Sequence, residues 1–261
     1  MLRPFAGLVS EPDWIALREV VPAATAPLRL AADSSRSVVL STVLPMAWPA
    51  LVRPVGTVYL GLQVPTRSGD VSRDLGAALE LALAAEPGTP VPTVTAPGPR
   101  LQDLLDDGPL DVTVHEGFDY WIEEEPTGEV AASLERANAT VIPTVRLSSV
   151  PAAYWCRMRE RSHLRWVLPE DEDAALDALA RIAAGPGLAI GPDTRYVGAF
   201  RAHGLLVPVW DLPADREAAA LEEPVTALRG RLDEALAQTG PLTADERRAR
   251  AGLTSRQITL R

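Results

Sequence analysis

The chain has 261 residues, 47% of them apolar and 23% charged, with a formal net charge of −10. That composition can bury a substantial core and excludes global disorder. The carboxylate excess works against nucleic acid as the main ligand, because such affinity rests on cations that neutralise phosphates. The length permits one large domain or two modest ones. No stretch approaches the roughly eighteen continuous apolar residues of a membrane span, and "MLRPFAGLVSEPDW" breaks any apolar leader with Pro4 and Glu11. A cytoplasmic location without membrane insertion is therefore expected. Cys156 is the only cysteine, so no internal disulfide can form, and the thiol is expected to pack as a small buried hydrophobe. All 25 basic residues are arginine, a bias that carries no function by itself.

Along the chain, "DWIALREVV" (13–21) has helical spacing, with Asp13 as its expected N-cap. Three β-type runs follow, "APLRL", "SVVLSTVL" and "TVYLGLQV". The run 70–88 places Leu75, Leu79, Ala82 and Leu83 on one helical stripe, ended by Pro87 and Gly88. Residues 87–100 are proline-rich, without apolar periodicity, and read as an exposed connector. "LDVTV" and "FDYWIEE" read as strands, and 129–139 as a helix. The strands "TVIPTVRL", "AAYWCRM" and "HLRWVLP" come next, then a helix over 171–187 with acidic residues in its first turn. "RYVGAF" and "LLVPVWDL" read as strands, and 217–238 as a helix broken or started at Pro224.

In order, these elements state one unit twice: helix, three strands, helix, two strands, helix. The fold class expected is α+β, in two tandem modules of antiparallel sheet covered by helices. The modules would span residues 1–126 and 127–240, share the helix at 127–139, and be followed by an Arg-rich tail, 241–261. His115 and His203 fall at the same point of the two copies, beside Gly117 and Gly204, and are expected to mark hairpin turns, since both residue types tolerate positive φ.

Catalytic and cofactor signatures are missing. The three histidines, His115, His163 and His203, have no Cys pair to join in a metal site. A phosphate loop needs a lysine the chain lacks, and neither G-x-G-x-x-G after a strand nor G-x-S-x-G occurs. No cofactor, metal or catalytic residue is expected. The acidic runs 123–125 and 170–173 read as solvated caps. Six tryptophans are present, and most should fill the core. In "LPMAWPAL", Met46, Trp48 and Leu51 form a candidate anchor for a partner. Arg157, Arg159, Arg161 and Arg165 surround a hairpin tip, and the tail carries Arg247, Arg248, Arg250, Arg256 and Arg261. Thr243 and Glu246 form a capping box ahead of a short helix in that tail, which either folds back on the body or reaches an acidic partner.

At "DWIALREVVPAAT", "STVLPMAWPAL", "VAASLERAN", "HLRWVLP", "FRAHGLLVPVWDLP" and "LTADERRARAGLTSRQITL" the chain resembles an actinobacterial family of uncharacterised proteins, along essentially its whole length. Members of that family commonly carry an N-terminal SEC-C zinc motif and are often labelled SecA-like for that reason. The motif's cysteines are missing here, no ATP-binding motif exists to drive transport, and the resemblance carries over no catalytic residue. The element order is also similar to that of the type III secretion chaperone-like fold, which implies polypeptide binding by analogy of topology. The expected function is a non-catalytic protein-binding adaptor or chaperone-like factor. An RNA- or ribosome-associated factor using the arginines is the alternative, and a small-molecule enzyme a weaker one.

Overall fold

The computed structural model describes residues 3–65, 67–91 and 93–255. The fold is α+β, with two five-stranded sheets dominated by antiparallel pairing. The chain divides into two compact units, Met1–Ile142 and Pro143–Arg261, so that the division follows the helix 128–138 and the C-terminal tail belongs to the second unit.

In the first unit, Ser10 takes the left-handed region at φ 62° at the N-cap position of α1 (Glu11–Glu19), without a side-chain capping bond, and the helix buries Trp14 and Leu17. Asp13, expected as the cap, instead lies buried inside the first turn. The strands β1 (Ala24–Leu28), β2 (Val38–Ser41), β3 (Ala50–Val52) and β4 (Val58–Gly61) are followed by α2 (Val71–Ala84) and α3 (Leu101–Leu104). The unit ends with β5 (Thr113–Val114) and α4 (Gly128–Asn138). The sheet order is β3-β4-β2-β1-β5, and β2 runs parallel to β4. Period-two burial of Val38 and Leu40, Ala50 and Val52, and Val58 and Leu60 faces the core, and α2 packs on β3 and β4. Asp70 caps α2 by accepting from the Ser72 N–H at 3.2 Å. The packing of this helix leaves no room at Gly76, where a Cβ would lie 2.0 Å from the Pro99 carbonyl oxygen.

Two further sequence readings fail in this unit for identifiable reasons. "FDYWIEE" is not a strand: residues Asp119–Trp121 form a 3-10 turn. Alternation would send its aromatics to opposite faces, whereas Phe118 and Trp121 stack at 4.3 Å and the Trp121 indole donates to the Val43 carbonyl at 2.9 Å. The buried Arg53 guanidinium donates to the carbonyls of Tyr120 and Trp121 at 3.1 and 2.6 Å and holds the turn in place. His115 is therefore not in a hairpin. Its Nε2 sits 2.8 Å from Thr25 Oγ1 and its ring lies 4.8 Å from that of Tyr120, while burial lowers its pKa against the opposing charge of Asp119.

In the second unit, β6 (Thr144–Arg146), β7 (Ala153–Met158), β8 (Arg161–Trp166), β9 (Arg195–Ala202) and β10 (Leu205–Leu212) pair antiparallel throughout, in the order β6-β7-β8-β10-β9. The helices are α5 (Glu172–Ala184), α6 (Glu222–Leu236) and α7 (Ala244–Ser255). Trp155, Leu164, Trp166, Trp210 and Leu212 form one core with Leu176, Leu179, Val225, Leu228 and Leu253 of these helices. Each large side chain so buried contributes about 1.5–3 kcal/mol. His203 and Gly204, at φ 47° and 85°, make the two-residue turn between the paired residues Ala202 and Leu205, as the sequence implied. Pro208 has no N–H to offer, and β10 joins β8 only from Val209 onward.

The described part of the tail, as far as Ser255, folds back. Thr243 and Glu246 form the reciprocal cap at 2.7 and 3.3 Å, and α7 lies on α5, where Leu253 is buried. Arg250 bridges Asp173 at 2.6 Å and Asp177 at 2.5 Å, one turn apart on α5.

At the start of α6, Glu222 accepts from the backbone N–H groups of Ser148 and Ser149, both at 2.9 Å, and from the Ser148 hydroxyl at 3.0 Å. Burial works against its charge, yet these bonds prevail and hold its pKa at about 2, below the ordinary 4.5. A depressed carboxyl contributes stability in full above its unfolded value, and that contribution is lost as pH falls through the folded one. Because the group is largely solvated, about 1 kcal/mol is at stake. Urea titrations of wild type and Glu222→Gln are expected to converge as pH falls from 4.5 to about 2.

Candidate functional site

A cleft of about 450 Å³ lies in the first unit. Three segments make it: the turn Gly7–Val9 with Trp14 of α1, the end of β1 at Pro27–Arg29, and the stretch from Gln102 to Asp111. Side-chain to backbone bonds hold these segments together. The Gln102 amide donates to the carbonyls of Pro4 and Ala6 at 2.8 and 2.9 Å, and Ser72 Oγ donates to Gln102 Oε1 at 2.6 Å. The Leu110 N–H donates to Ser10 Oγ at 3.3 Å, and the Asp106 N–H to the Arg29 carbonyl at 2.9 Å. An Arg3–Glu11 ion pair at 2.6 Å and the stacking of Phe5 on Trp14 at 5.9 Å brace the N-terminal turn.

The cleft has two kinds of lining. Trp14, Leu105 and Leu110 are buried and form an apolar floor, with Leu8 and Leu28 half-buried beside them. Arg29, Asp106, Asp107 and Asp111 are exposed at the rim. An apolar floor with a few convergent polar groups is the usual make-up of a ligand site.

The residues singled out in the sequence lie elsewhere. Met46 is 76% exposed on a turn where it and Ala47 both take left-handed φ values, 56° and 53°. Trp48 is half-buried, and Leu51 is the middle residue of β3, paired with Tyr59 on one side and bridged to Pro90 on the other. Only Met46 of this trio projects freely. Arg157 pairs with Glu217 at 2.6 Å and lies over the Trp155 ring, Arg159 sits at φ 57° in the β7–β8 turn, and Arg161 pairs with Asp211 at 3.3 Å. Arg247 donates to the Leu242 carbonyl and Arg248 pairs with Asp245. With Arg250 engaged on α5, the hairpin and tail arginines contact different elements and form no common patch through these bonds. Arg256 lies outside the described residues.

One row of reactive types does align. Cys156, His163 and Asp211 are register partners on β7, β8 and β10, and His163 Nδ1 lies 3.0 Å from Asp211 Oδ1. The thiol is buried, as expected, and burial pushes its pKa up against the opposing effect of Arg165. Burial likewise lowers the His163 pKa, with Asp211 opposing. A nucleophilic cysteine needs the reverse shift and access to its substrate, whereas this thiol is buried and its pKa is raised. No group of three His, Cys, Asp or Glu among the described residues is placed to hold a metal ion. No helix among them is long and apolar enough to cross a membrane.

These features describe an α+β protein with a wet-rimmed apolar cleft. Residues 4–261 match the model of a family described as a family of unknown function, DUF5926, and the chain belongs to that family. No curated protein and no solved structure matches it.

Proposed function

We propose that the protein is a non-catalytic adaptor that binds a peptide segment of a partner protein, with the cleft of the first unit as its site. The observation that carries this reading is the joining of an apolar floor to a charged rim in a space of about 450 Å³. Such a volume takes one or two side chains of an extended segment while the rim contacts its flanks. The exposed Met46 supplies a second apolar contact on the same unit. An RNA partner has less support, because Arg157, Arg161 and Arg250 already face carboxylates of their own unit.

Selection of displayed peptides on the full chain tests the reading. Val9, 42% exposed at the cleft mouth, can be enlarged without disturbing the core. Val9→Trp fills the cleft at unchanged charge and is expected to weaken enriched peptides by about tenfold or more, equivalent to about 1.4 kcal/mol. Enriched peptides that bind Val9→Trp as tightly as the wild type would place the site elsewhere.

A further inference from the structure

We infer that the ligand of the cleft is a cationic segment, a stretch of a partner protein in which arginine or lysine flanks an apolar side chain. This rests on the peptide-binding reading of the cleft and adds the chemical class of its occupant. The first unit holds nine arginines against nineteen acidic residues, whereas the second holds sixteen of each, so the entire net charge of −10 resides in the unit with the cleft. Within that unit the excess is concentrated further. Residues 101–135 contain eleven Asp and Glu and neither arginine nor lysine, with Arg100 and Arg136 just outside and His115 the one imidazole within. All eleven are exposed, and none is a member of an ion pair given for the described residues.

The second unit shows what the same chain does with carboxylates that serve the fold. There Asp173 and Asp177 hold Arg250, Asp211 holds Arg161 and Arg195, and Glu170 and Asp233 hold Arg229. Among the described residues, no arginine is given in an ion pair with the carboxylates of 101–135. Exposed like charges repel at a cost to folding and attract opposite charge over about a Debye length, ~8 Å at physiological salt.

Three of these carboxylates, Asp106, Asp107 and Asp111, line the cleft, and Arg29 is the single arginine among the described residues that line it. The rim therefore repels phosphates and acidic peptides. The floor, with Trp14, Leu105 and Leu110, gains nothing from a small hydrated cation and requires apolar surface. One ligand satisfies both requirements, a basic segment with an apolar side chain at its centre. Rim charges of this kind act mainly on association rate and salt dependence, and the floor on residence time.

The test uses fluorescent peptides of equal length that share an apolar centre and differ only in their flanks, arginine, glutamine or glutamate. Anisotropy titrations use the full chain, the Val9→Trp variant, and a triple variant carrying Asp106→Asn, Asp107→Asn and Asp111→Asn. Asparagine keeps the acceptor with which Asp106 bonds the Asp107 N–H at 2.9 Å, so the loop is retained, and thermal melts check that it is. The arginine peptide is expected to bind about tenfold more tightly than the glutamine peptide at low salt. That preference should fall to about threefold or less in the triple variant and in molar salt. Equal binding of arginine and glutamine peptides, both blocked by Val9→Trp, overturns the cationic class and leaves the peptide site standing. Arginine-peptide binding that survives Val9→Trp puts the contact on carboxylates outside the cleft and overturns both. Tighter binding of the glutamate peptide, or of none, overturns the inference outright.

Discussion

Replacing Trp210 by alanine is expected to lower the stability of the second unit by about 3–5 kcal/mol, among the largest effects available to one substitution in this chain. Trp210 is fully buried, meets Tyr196 edge-on at a centroid distance of 5.6 Å, and donates its indole N–H to the Leu188 carbonyl at 2.7 Å. Truncation removes the ring from the sheet side of the core and leaves a buried carbonyl without its donor, two costs that act together. A folded unit has about 5–15 kcal/mol in total, so the variant would stand near its threshold. Urea denaturation followed by far-ultraviolet circular dichroism measures the loss. Hydrogen exchange of β7 to β10 locates it. Trp210→Phe, which keeps most of the volume and lacks the N–H, should cost about 1–2 kcal/mol and separates the two terms. A loss below about 1 kcal/mol for the alanine variant would mean that the surrounding side chains collapse into the gap.

Gly76→Ala is expected to destabilise the first unit by about 2–3 kcal/mol, although alanine is the better helix former by about 1 kcal/mol. The added Cβ would lie 2.0 Å from the Pro99 carbonyl oxygen and 3.1 Å from its carbon. Both are backbone atoms of a segment already fixed by the Gly98 N–H, which donates to the Arg73 carbonyl at 3.0 Å, so the clash cannot be relieved by a side-chain rotation. Gly98 faces the same constraint from the other side, its Cβ position lying 2.7 Å from Ala77 Cα. Gly230, inside α6 with nothing within 4 Å of its Cβ position, is the matched control. Gly230→Ala should raise stability by up to about 1 kcal/mol. Thermal melts of the two variants moving in opposite directions would establish contact, and not helix propensity, as the reason for glycine at position 76. Melts moving the same way would refute it.

The elements most legible in the sequence are those whose signals are local. α2 declared itself by its apolar stripe and α5 by the acidic residues of its first turn, and Asp70 and Asp171 cap the two helices. The His203-Gly204 pair gave the β9–β10 turn through its tolerance of positive φ. The tail's cap was equally readable, since Thr243 and Glu246 are three residues apart. What the sequence concealed depends on distant partners. β3 is three residues long and exists because β4 and residues 88–91 flank it. The 3-10 turn at 119–121 is held by Arg53 and Val43, some seventy residues away in sequence, so its aromatic content read as a strand. The cleft is assembled by contacts such as Gln102 with Pro4 and Leu110 with Ser10, which leave no periodic trace. Its acidic rim had a visible signal in "DLLDDGPLD", where carboxylates surround a Gly-Pro pair in a turn. Met46, Trp48 and Leu51 do not act as a unit, because Leu51 is built into the strand β3 and Trp48 is half-buried beside the turn that exposes Met46.

The pairing of the two sheets bears on the order in which the chain acquires structure. In the second unit, β7 joins β8 and β9 joins β10 through two-residue turns, so most of its ladder closes over short loops. In the first unit, β5 reaches its neighbour only when Val114 meets Ala24, and the parallel β2–β4 pair must wait for the excursion through β3. Loop closure of that length is slow compared with hairpin formation. The half of the polypeptide that leaves the ribosome first is thus the half whose sheet closes through the longer loops. During synthesis β1 to β4 can pair once residue 61 has emerged, but the free edge of β1 stays open until β5 arrives at residues 113–114, which makes the nascent first unit the stage of this protein's life most exposed to misassociation.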